Sequence, residues 1–148
     1  MTALGSNASG RTRGRTAAGF RLKAPVQGEF SMQRQCTDVM RLEIAREGHV
    51  SRDGVVWFSI DQANFAGVPG TRIARGICAG VPDVAVLWRG AAHWIELKTD
   101  TGVMSDAQRE VCTALLWAGC HFGVARSAED VLGLLDCWGI PRNHRTHL

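Results

Sequence analysis

The sequence predicts an α/β domain, on the strength of two observations about its apolar residues. Three stretches, which begin near positions 29, 105 and 127, repeat apolar side chains with the period of an amphipathic helix. Between them lie runs rich in β-branched and aromatic residues, which are typical of strands. These runs are Val55–Ile60, Val84–Trp88, Trp94–Leu97 and His121–Arg126. The predicted order is therefore helix, strand, strand, strand, helix, strand, helix.

The composition is that of one globular domain. The chain has 148 residues, of which 45% are hydrophobic and 21% are charged, and this length suits a single core with residues to spare for a flexible end. No apolar run approaches the roughly 20 residues that cross a bilayer, and the N-terminus lacks the apolar core of a signal peptide. We therefore expect a cytoplasmic protein with no membrane partner.

The basic charge is concentrated at the N-terminus. Residues 1–28 carry five basic side chains and no acidic one, whereas the rest of the chain carries 12 basic and 14 acidic residues. We expect residues 1–25 to form a disordered arm, because they show no hydrophobic period. Its arginines would attract a nucleic-acid backbone through counterion release; the alternative is a solubilising leader. Residues 26–140 then form the folded domain and residues 141–148 a flexible tail. The arginines concerned are Arg11, Arg13 and Arg15.

The five cysteines predict neither a zinc site nor a disulfide framework. They are odd in number and include no Cys-x-x-Cys pair. Since their sequence neighbours are mostly apolar, we expect them to be small buried hydrophobic side chains in a reducing compartment.

The first helix is predicted to run from Glu29 to Gly48, where the glycine ends it. Glu29 lies in the first turn, where a carboxylate interacts favourably with the helix dipole.

After the first strand comes a Gly-rich segment, residues 61–79, which contains Arg72 and Arg75. These arginines suit a loop that guides phosphate into a site, although loops are commonly basic for solubility alone.

The second and third runs form a predicted hairpin whose turn is Arg89–Ala92. Asp83 stands where the first of these strands begins, and Glu96 and Lys98 lie two residues apart in the second. Side chains alternate between the faces of a strand, so Glu96 and Lys98 share one face. An exposed ion pair between them is one interpretation. With Asp83 nearby, these groups also make an oxygen-rich site for a hard divalent cation such as Mg²⁺, with a lysine to stabilise developing charge.

Ser105 and Gln108 have the spacing of a capping box, which predicts a helix from there to about Ala118. Gln108 falls on the inward, apolar stripe of this helix. It therefore either closes the cap or faces the carboxylate site, and we do not expect it to do both. The last helix begins after Ser127 and runs to about Trp138.

Five short motifs occur in the chain: Gly80-Val81-Pro82-Asp83, Glu96-Leu97-Lys98, Ser105-x-x-Gln108, Glu29-x-x-Met32-Gln33 and Arg126-Ser127-Ala128-Glu129-Asp130. Together they resemble the VRR-NUC family of PD-(D/E)xK nucleases over about residues 29–135. The resemblance implies a restriction-endonuclease-like core, in which a mixed central β-sheet is flanked by helices, and it implies a homodimer.

The resemblance also implies a role for each matched residue. Asp83 and Glu96 would bind Mg²⁺, or Mn²⁺ in its place, together with the backbone carbonyl of Leu97. Lys98 would orient or activate the attacking water. Gln108, from one helix, would hold the lysine or the water, and Glu29, from another helix, would approach the site. The implied catalytic residues are Asp83, Glu96, Lys98, Gln108 and Glu29.

We therefore expect a metal-dependent DNA endonuclease that hydrolyses phosphodiester bonds in branched structures such as Holliday junctions and flaps, or in nicked duplex. The basic arm, with Arg72 and Arg75, favours nucleic acid as the substrate. Alternatives are a nonspecific nickase or exonuclease, and a DNA-binding or assembly protein that has the fold without cleavage. A hydrolase of small phosphate esters would require a closed pocket, and the sequence offers no Gly-rich phosphate loop followed by a helix.

Overall fold

The computed structural model describes residues 28–60 and 78–143, apart from the side chains of Glu29 and Phe30. Within these residues the chain forms an α/β domain with one four-stranded sheet and three helices. The prediction of an α/β fold is confirmed. Outside the described residues lie the arm of residues 1–25 and the five arginines predicted to contact nucleic acid: Arg11, Arg13, Arg15, Arg72 and Arg75.

The elements, in chain order, are α1 (Glu29–Glu43), β1 (Val56–Ser59), β2 (Val84–Trp88), β3 (Ala91–Leu97), α2 (Asp106–Trp117), β4 (His121–Ala125) and α3 (Ala128–Cys137). The sheet is mixed and open. Its strand order is β1-β2-β3-β4, in which β1, β2 and β3 pair antiparallel and β4 runs parallel to β3. A parallel pair needs a crossover connection, and α2 provides it. None of the helices in the two described ranges is long and apolar enough to cross a membrane.

A two-residue turn joins β2 to β3. Arg89 and Gly90 both have positive φ, 49° and 76°, as in the type I′ turn that suits the twist of antiparallel strands. The Arg89 guanidinium lies over the Trp88 ring, 4.6 Å from its centroid, a favourable cation–π arrangement. The turn is shorter than predicted, because Ala91 and Ala92 already belong to β3.

The two faces of the sheet are covered to different extents. α1 and α3 cover one face, where Val84, Val86 and Ile95 are at most 2% exposed and join the core. On the other face α2 packs against β4, while Phe58 and Leu87 on β1 and β2 are 39% and 42% exposed. The side chains of β3 that alternate with Ile95 point to this second, less covered face.

α1 ends earlier than the predicted Gly48. The helix stops at Glu43 because Ile44 has non-helical φ and ψ of −115° and −80°. In the turn that follows, the Trp57 indole donates a hydrogen bond to the Ala45 carbonyl at 2.7 Å. β1 therefore helps to fix the end of the helix, through a contact that apolar periodicity does not show.

The last described residues pack against the end of α1. Arg142 forms ion pairs with Asp136 at 2.9 Å and with Glu43 at 3.3 Å. The Asn143 side-chain amide donates to two backbone carbonyls there, at 3.1 and 3.2 Å, and thereby pairs acceptors that a helix end leaves unpaired. Residues 141–143 of the predicted tail are thus bound to the domain, and the rest of that tail lies outside the described residues.

The five cysteines differ in exposure. Cys36 is buried and Cys112 and Cys120 are partly buried, but Cys78 and Cys137 are exposed. The prediction that all five are buried is therefore wrong for these two. Apolar sequence neighbours did not indicate burial there, because Cys78 lies in the loop that leads to β2 and Cys137 is the last residue of α3.

Candidate active site

Glu96 is a buried carboxylate on the sheet. It lies on β3, one residue before the strand ends at Leu97, and it is 2% exposed. Its sequence neighbours Ile95 and Leu97 belong to the core on the opposite face. A charge at this depth is costly unless it is paired and hydrogen-bonded, so the partners of Glu96 determine what it can do.

Lys98 supplies a positive partner for Glu96. Its Nζ lies 2.8 Å from Glu96 Oε1, and its side chain is 14% exposed. The two side chains share one face as predicted, but their ion pair is shielded and is not the exposed pair that was the alternative interpretation. The Lys98 backbone is also fixed, because its N–H donates to the Ala125 carbonyl at 2.9 Å and continues the pairing of β3 with β4.

Gln108 bonds both to the helix cap and to Glu96. The side-chain Oε1 of Gln108 accepts a hydrogen bond from the backbone N–H of Ser105 at 2.9 Å, and the backbone N–H of Gln108 donates to Ser105 Oγ at 3.2 Å. These two bonds complete the predicted capping box. Its Nε2 donates to Glu96 Oε1. The prediction that Gln108 does only one of these is wrong, because a carboxamide has an acceptor at one end and donors at the other.

Asp83 lies across the hairpin from Glu96. The β2–β3 register pairs Val84 with Ile95, so Asp83, the residue directly before β2, lies beside the Glu96 end of β3. Asp83 Oδ2 accepts from the Leu97 N–H at 2.8 Å, so the carboxylate reaches the last residue of β3. The two predicted carboxylates therefore meet at one end of the sheet.

Cys36, on α1, is a buried thiol whose pKa is affected by the charge of Asp83. Burial raises the pKa of Cys36 to about 12, and the negative charge of Asp83 contributes to the rise. Glu29, the predicted catalytic residue of this helix, is the first residue of α1, and its side chain lies outside the described residues.

Gly80 allows the turn before Asp83 to touch α2. Its φ is 87°, and a Cβ at this position would lie 2.4 Å from the Ala107 carbonyl oxygen and 2.8 Å from the Gln108 nitrogen. Glycine fits both the conformation and the space. Gly80 therefore couples the Asp83 turn to the first turn of α2. The sequence pattern that points to this role is the position of Gly80 directly before Val-Pro-Asp in the motif.

Arg126 holds the segment that follows Lys98. Its Nη1 donates to the carbonyl of Thr99 and, at 3.3 Å, to that of Asp100. Its backbone N–H donates to Asp130 Oδ2 at 2.8 Å, which joins the end of β4 to the first turn of α3. The sequence alone does not reveal this role of Arg126, because its partner Thr99 lies 27 residues earlier in the chain. In the sequence Arg126 stands out only as part of a motif.

Asp83 and Glu96 fit a hard divalent cation by the chemistry of their donor atoms. Mg²⁺ prefers carboxylate and carbonyl oxygens, and the carbonyl predicted as a further ligand belongs to Leu97, at the end of β3. A carboxylate has about four lone-pair sites, so accepting hydrogen bonds is compatible with binding a metal. In the part of the chain that the structure describes, no three His, Cys, Asp or Glu side chains come together as a metal site. That part therefore brings two carboxylates to this end of the sheet.

Comparisons of the chain with protein-family models, with curated proteins and with solved structures gave no significant match. The function is therefore inferred from the residues of this site and from their geometry.

Proposed function

We propose that this protein is a Mg²⁺- or Mn²⁺-dependent DNA endonuclease with a restriction-endonuclease-like core of the VRR-NUC type. The observation that carries the proposal is the buried Glu96 carboxylate, which bonds to Lys98 and Gln108 and stands across the hairpin from Asp83. Metal-assisted phosphodiester hydrolysis needs carboxylates for the ion and a fixed cation near the developing charge. This set supplies both.

A purely structural role explains the cluster less well. Burying an ion pair costs desolvation, and well-packed apolar residues of similar volume often give equal or greater stability. The neighbouring core shows that the chain packs such residues readily, since Ile95 and Val86 are fully buried. Three polar side chains that converge at one end of an apolar sheet are therefore better explained by chemistry than by stability.

Each residue then has a defined task. Asp83 and Glu96, with the Leu97 carbonyl, hold the divalent ion, which when bound supplies Lewis acidity toward a phosphoryl oxygen and lowers the pKa of water. Lys98 orients the attacking water and places a positive charge where the pentavalent phosphorus becomes negative. Gln108, held by its helix cap, keeps the Glu96 carboxylate oriented toward Lys98.

DNA is the proposed substrate because the basic charge of the chain is concentrated in the first 28 residues of the sequence. Residues 1–28 carry five basic side chains and no acidic one, which favours attraction to a phosphate backbone. We assign branched or nicked duplex as the preferred form and a homodimer as the active species, because two sites related by symmetry suit the cutting of two strands.

The experiment is a cleavage assay on supercoiled plasmid and on a labelled four-way junction, with Mg²⁺ or with EDTA. We expect the native chain to cut only with the metal. Lys98→Ala and Glu96→Gln should each lower the rate at least about 100-fold, because each removes a charge that acts on the transition state. The matched control is Arg52→Ala, whose side chain is 83% exposed and pairs only loosely with its sequence neighbour.

Equal cleavage by the native chain and Lys98→Ala would contradict the proposed mechanism. If the plasmid is nicked and the junction is not preferred, the protein is a nonspecific nickase. If DNA is bound but is not cut with either metal, the chain is a binding or assembly protein on this fold.

A further inference from the structure

Two donors share one oxygen of Glu96. Lys98 Nζ lies 2.8 Å from Glu96 Oε1, and Gln108 Nε2 donates to the same atom. Oε1 thus receives one charged and one neutral donor on a carboxylate that is 2% exposed. A second cation that binds this carboxylate therefore comes close to the Lys98 ammonium.

A divalent ion at Glu96 would compete with the Lys98 ammonium. Both cations are attracted by the same carboxylate, and Mg²⁺ binds oxygen at about 2.0–2.1 Å, closer than the 2.8 Å of the ion pair. Like charges so close repel strongly where water is scarce. Gln108 differs in this respect, because its donor is neutral and its Oε1 is held by the Ser105 N–H at 2.9 Å.

We infer that Lys98 is a place-holding cation, which neutralises Glu96 until a divalent ion binds and displaces the ammonium from Oε1. The inference rests on the proposed function, since it concerns how that metal site is filled. Displacement has a consequence for the reaction: the ammonium leaves the carboxylate when the ion arrives, and it is then available to the phosphate. Gln108 remains on Glu96 and preserves its orientation. Lys98 therefore sets the concentration of metal at which the site fills.

The test measures binding of Mn²⁺ alone, by the electron paramagnetic resonance signal of the free ion, without DNA and without turnover. We expect Lys98→Met to bind Mn²⁺ at least about tenfold more tightly than the native chain, because a competing like charge is gone. Gln108→Met is the matched control, since it removes the neutral donor from the same oxygen and should change affinity less than about threefold. Lys98→Arg should restore an affinity close to the native one.

A second measurement covers the case in which Lys98→Met folds poorly without its ion pair. Mn²⁺ should then raise the thermal midpoint of Lys98→Met more than that of the native chain, because a ligand that binds the folded state stabilises it more when its affinity is higher. Lys98→Gln, which keeps a neutral donor, should behave in the same way.

The outcomes separate this inference from the proposed function. If the native chain binds Mn²⁺ and cleaves DNA, but neither Lys98→Met nor Lys98→Gln binds the ion more tightly, the place-holder role is overturned and the nuclease proposal stands. If the native chain and both variants bind no Mn²⁺, the place-holder role and the metal site are both overturned. If Lys98→Met binds Mn²⁺ more tightly than the native chain, but the native chain cuts no DNA, the place-holder role is supported and the nuclease proposal is contradicted.

Discussion

At the scale of single residues, Gly80 determines how closely the Asp83 turn approaches α2. Its φ of 87° is unfavourable for other residues, and an added Cβ would lie 2.4 Å from the Ala107 carbonyl oxygen. We predict that Gly80→Ala lowers the free energy of unfolding by more than about 2 kcal/mol, through backbone strain and overpacking together. Urea denaturation measures this loss of stability. The rate of DNA cleavage by the folded variant should also fall, because Gln108 moves with α2.

Gly54→Ala is the matched control for this prediction. Gly54 has a similar φ of 78°, but nothing lies within 4 Å of a Cβ added there. The free energy of unfolding of Gly54→Ala should fall only by the roughly 1–2 kcal/mol that a left-handed backbone costs a non-glycine residue, and the variant should keep its activity. If both variants lose the same stability, the contact between the Asp83 turn and α2 is unimportant.

The residues that sequence patterns identified are those whose partners are near in the chain. Strand alternation placed Glu96 and Lys98 on one face, and the capping box placed Gln108 at the start of α2. The double role of Gln108 was not predictable, because helical periodicity gives the direction of a side chain and not which of its two ends meets which partner. Arg126 was missed as a structural residue for a similar reason, since it bonds to backbone carbonyls across the fold.

At the scale of elements, the strands were easier to predict than the helix ends. The two-residue turn between β2 and β3 follows from local conformational preferences, and the β2 limits agree with the predicted Val84–Trp88. The end of α1 depends instead on contacts with β1 and with the C-terminal residues. Glu43, in the last turn of α1, is 8% exposed and pairs with Arg142. No local pattern reveals a partner 99 residues away.

A buried histidine lies where β3, β4 and α3 meet. His93 is 2% exposed, its ring stacks on that of His121 with 4.5 Å between centroids, and Trp138 lies 5.2 Å away. Burial lowers the pKa of His93 from its ordinary 6.5, and the nearby His121 lowers it further, while the hydrogen bond with the Val86 carbonyl acts in the opposite direction. The fold therefore favours the neutral ring.

This lowered pKa predicts that the domain loses stability in acid. The unfolded chain takes up the His93 proton first, so the contribution is fully present above the ordinary pKa of 6.5 and is lost as the pH falls through the lower folded value. Urea denaturation at neutral pH and at about pH 5 should show a smaller difference for His93→Leu than for the native chain. His49→Leu, at an exposed position, should keep the native difference; an unchanged difference in His93→Leu would contradict the prediction.

At the scale of the whole molecule, the order of the elements was predictable and their arrangement in the sheet was not. Apolar periods distinguish helices from strands along the chain, but pairing of β4 with β3 in parallel joins segments on either side of α2. The unequal covering of the two sheet faces was also not predictable. α2 was expected to bury an apolar side, yet none of its residues is fully buried. At the polar end of the sheet Lys98 keeps 14% of its side chain exposed, whereas Glu96 beside it is 2% exposed.

The whole-molecule charge distribution gives the last prediction, which separates DNA binding from catalysis. Removal of residues 1–24 takes away all five basic side chains of the N-terminal segment. The slope of log affinity against log salt falls by about 0.9 for every phosphate that the protein no longer neutralises. We therefore expect this slope to fall by up to about 4.5 units in a filter-binding or anisotropy titration. Mn²⁺ binding should not change, because Asp83 and Glu96 belong to the folded domain.

A full-length chain in which the same five residues are glutamine is the matched control, because it keeps the length of the segment and removes only its charge. If it behaves like the truncated chain, electrostatic attraction explains the effect. A truncated chain that keeps the native salt slope would show that the segment does not contact DNA, and the phosphate contacts would then have to come from the rest of the chain. In either case the proposed chemistry is assigned to Glu96 and Lys98, and the proposed attraction of DNA is assigned to basic residues outside that cluster.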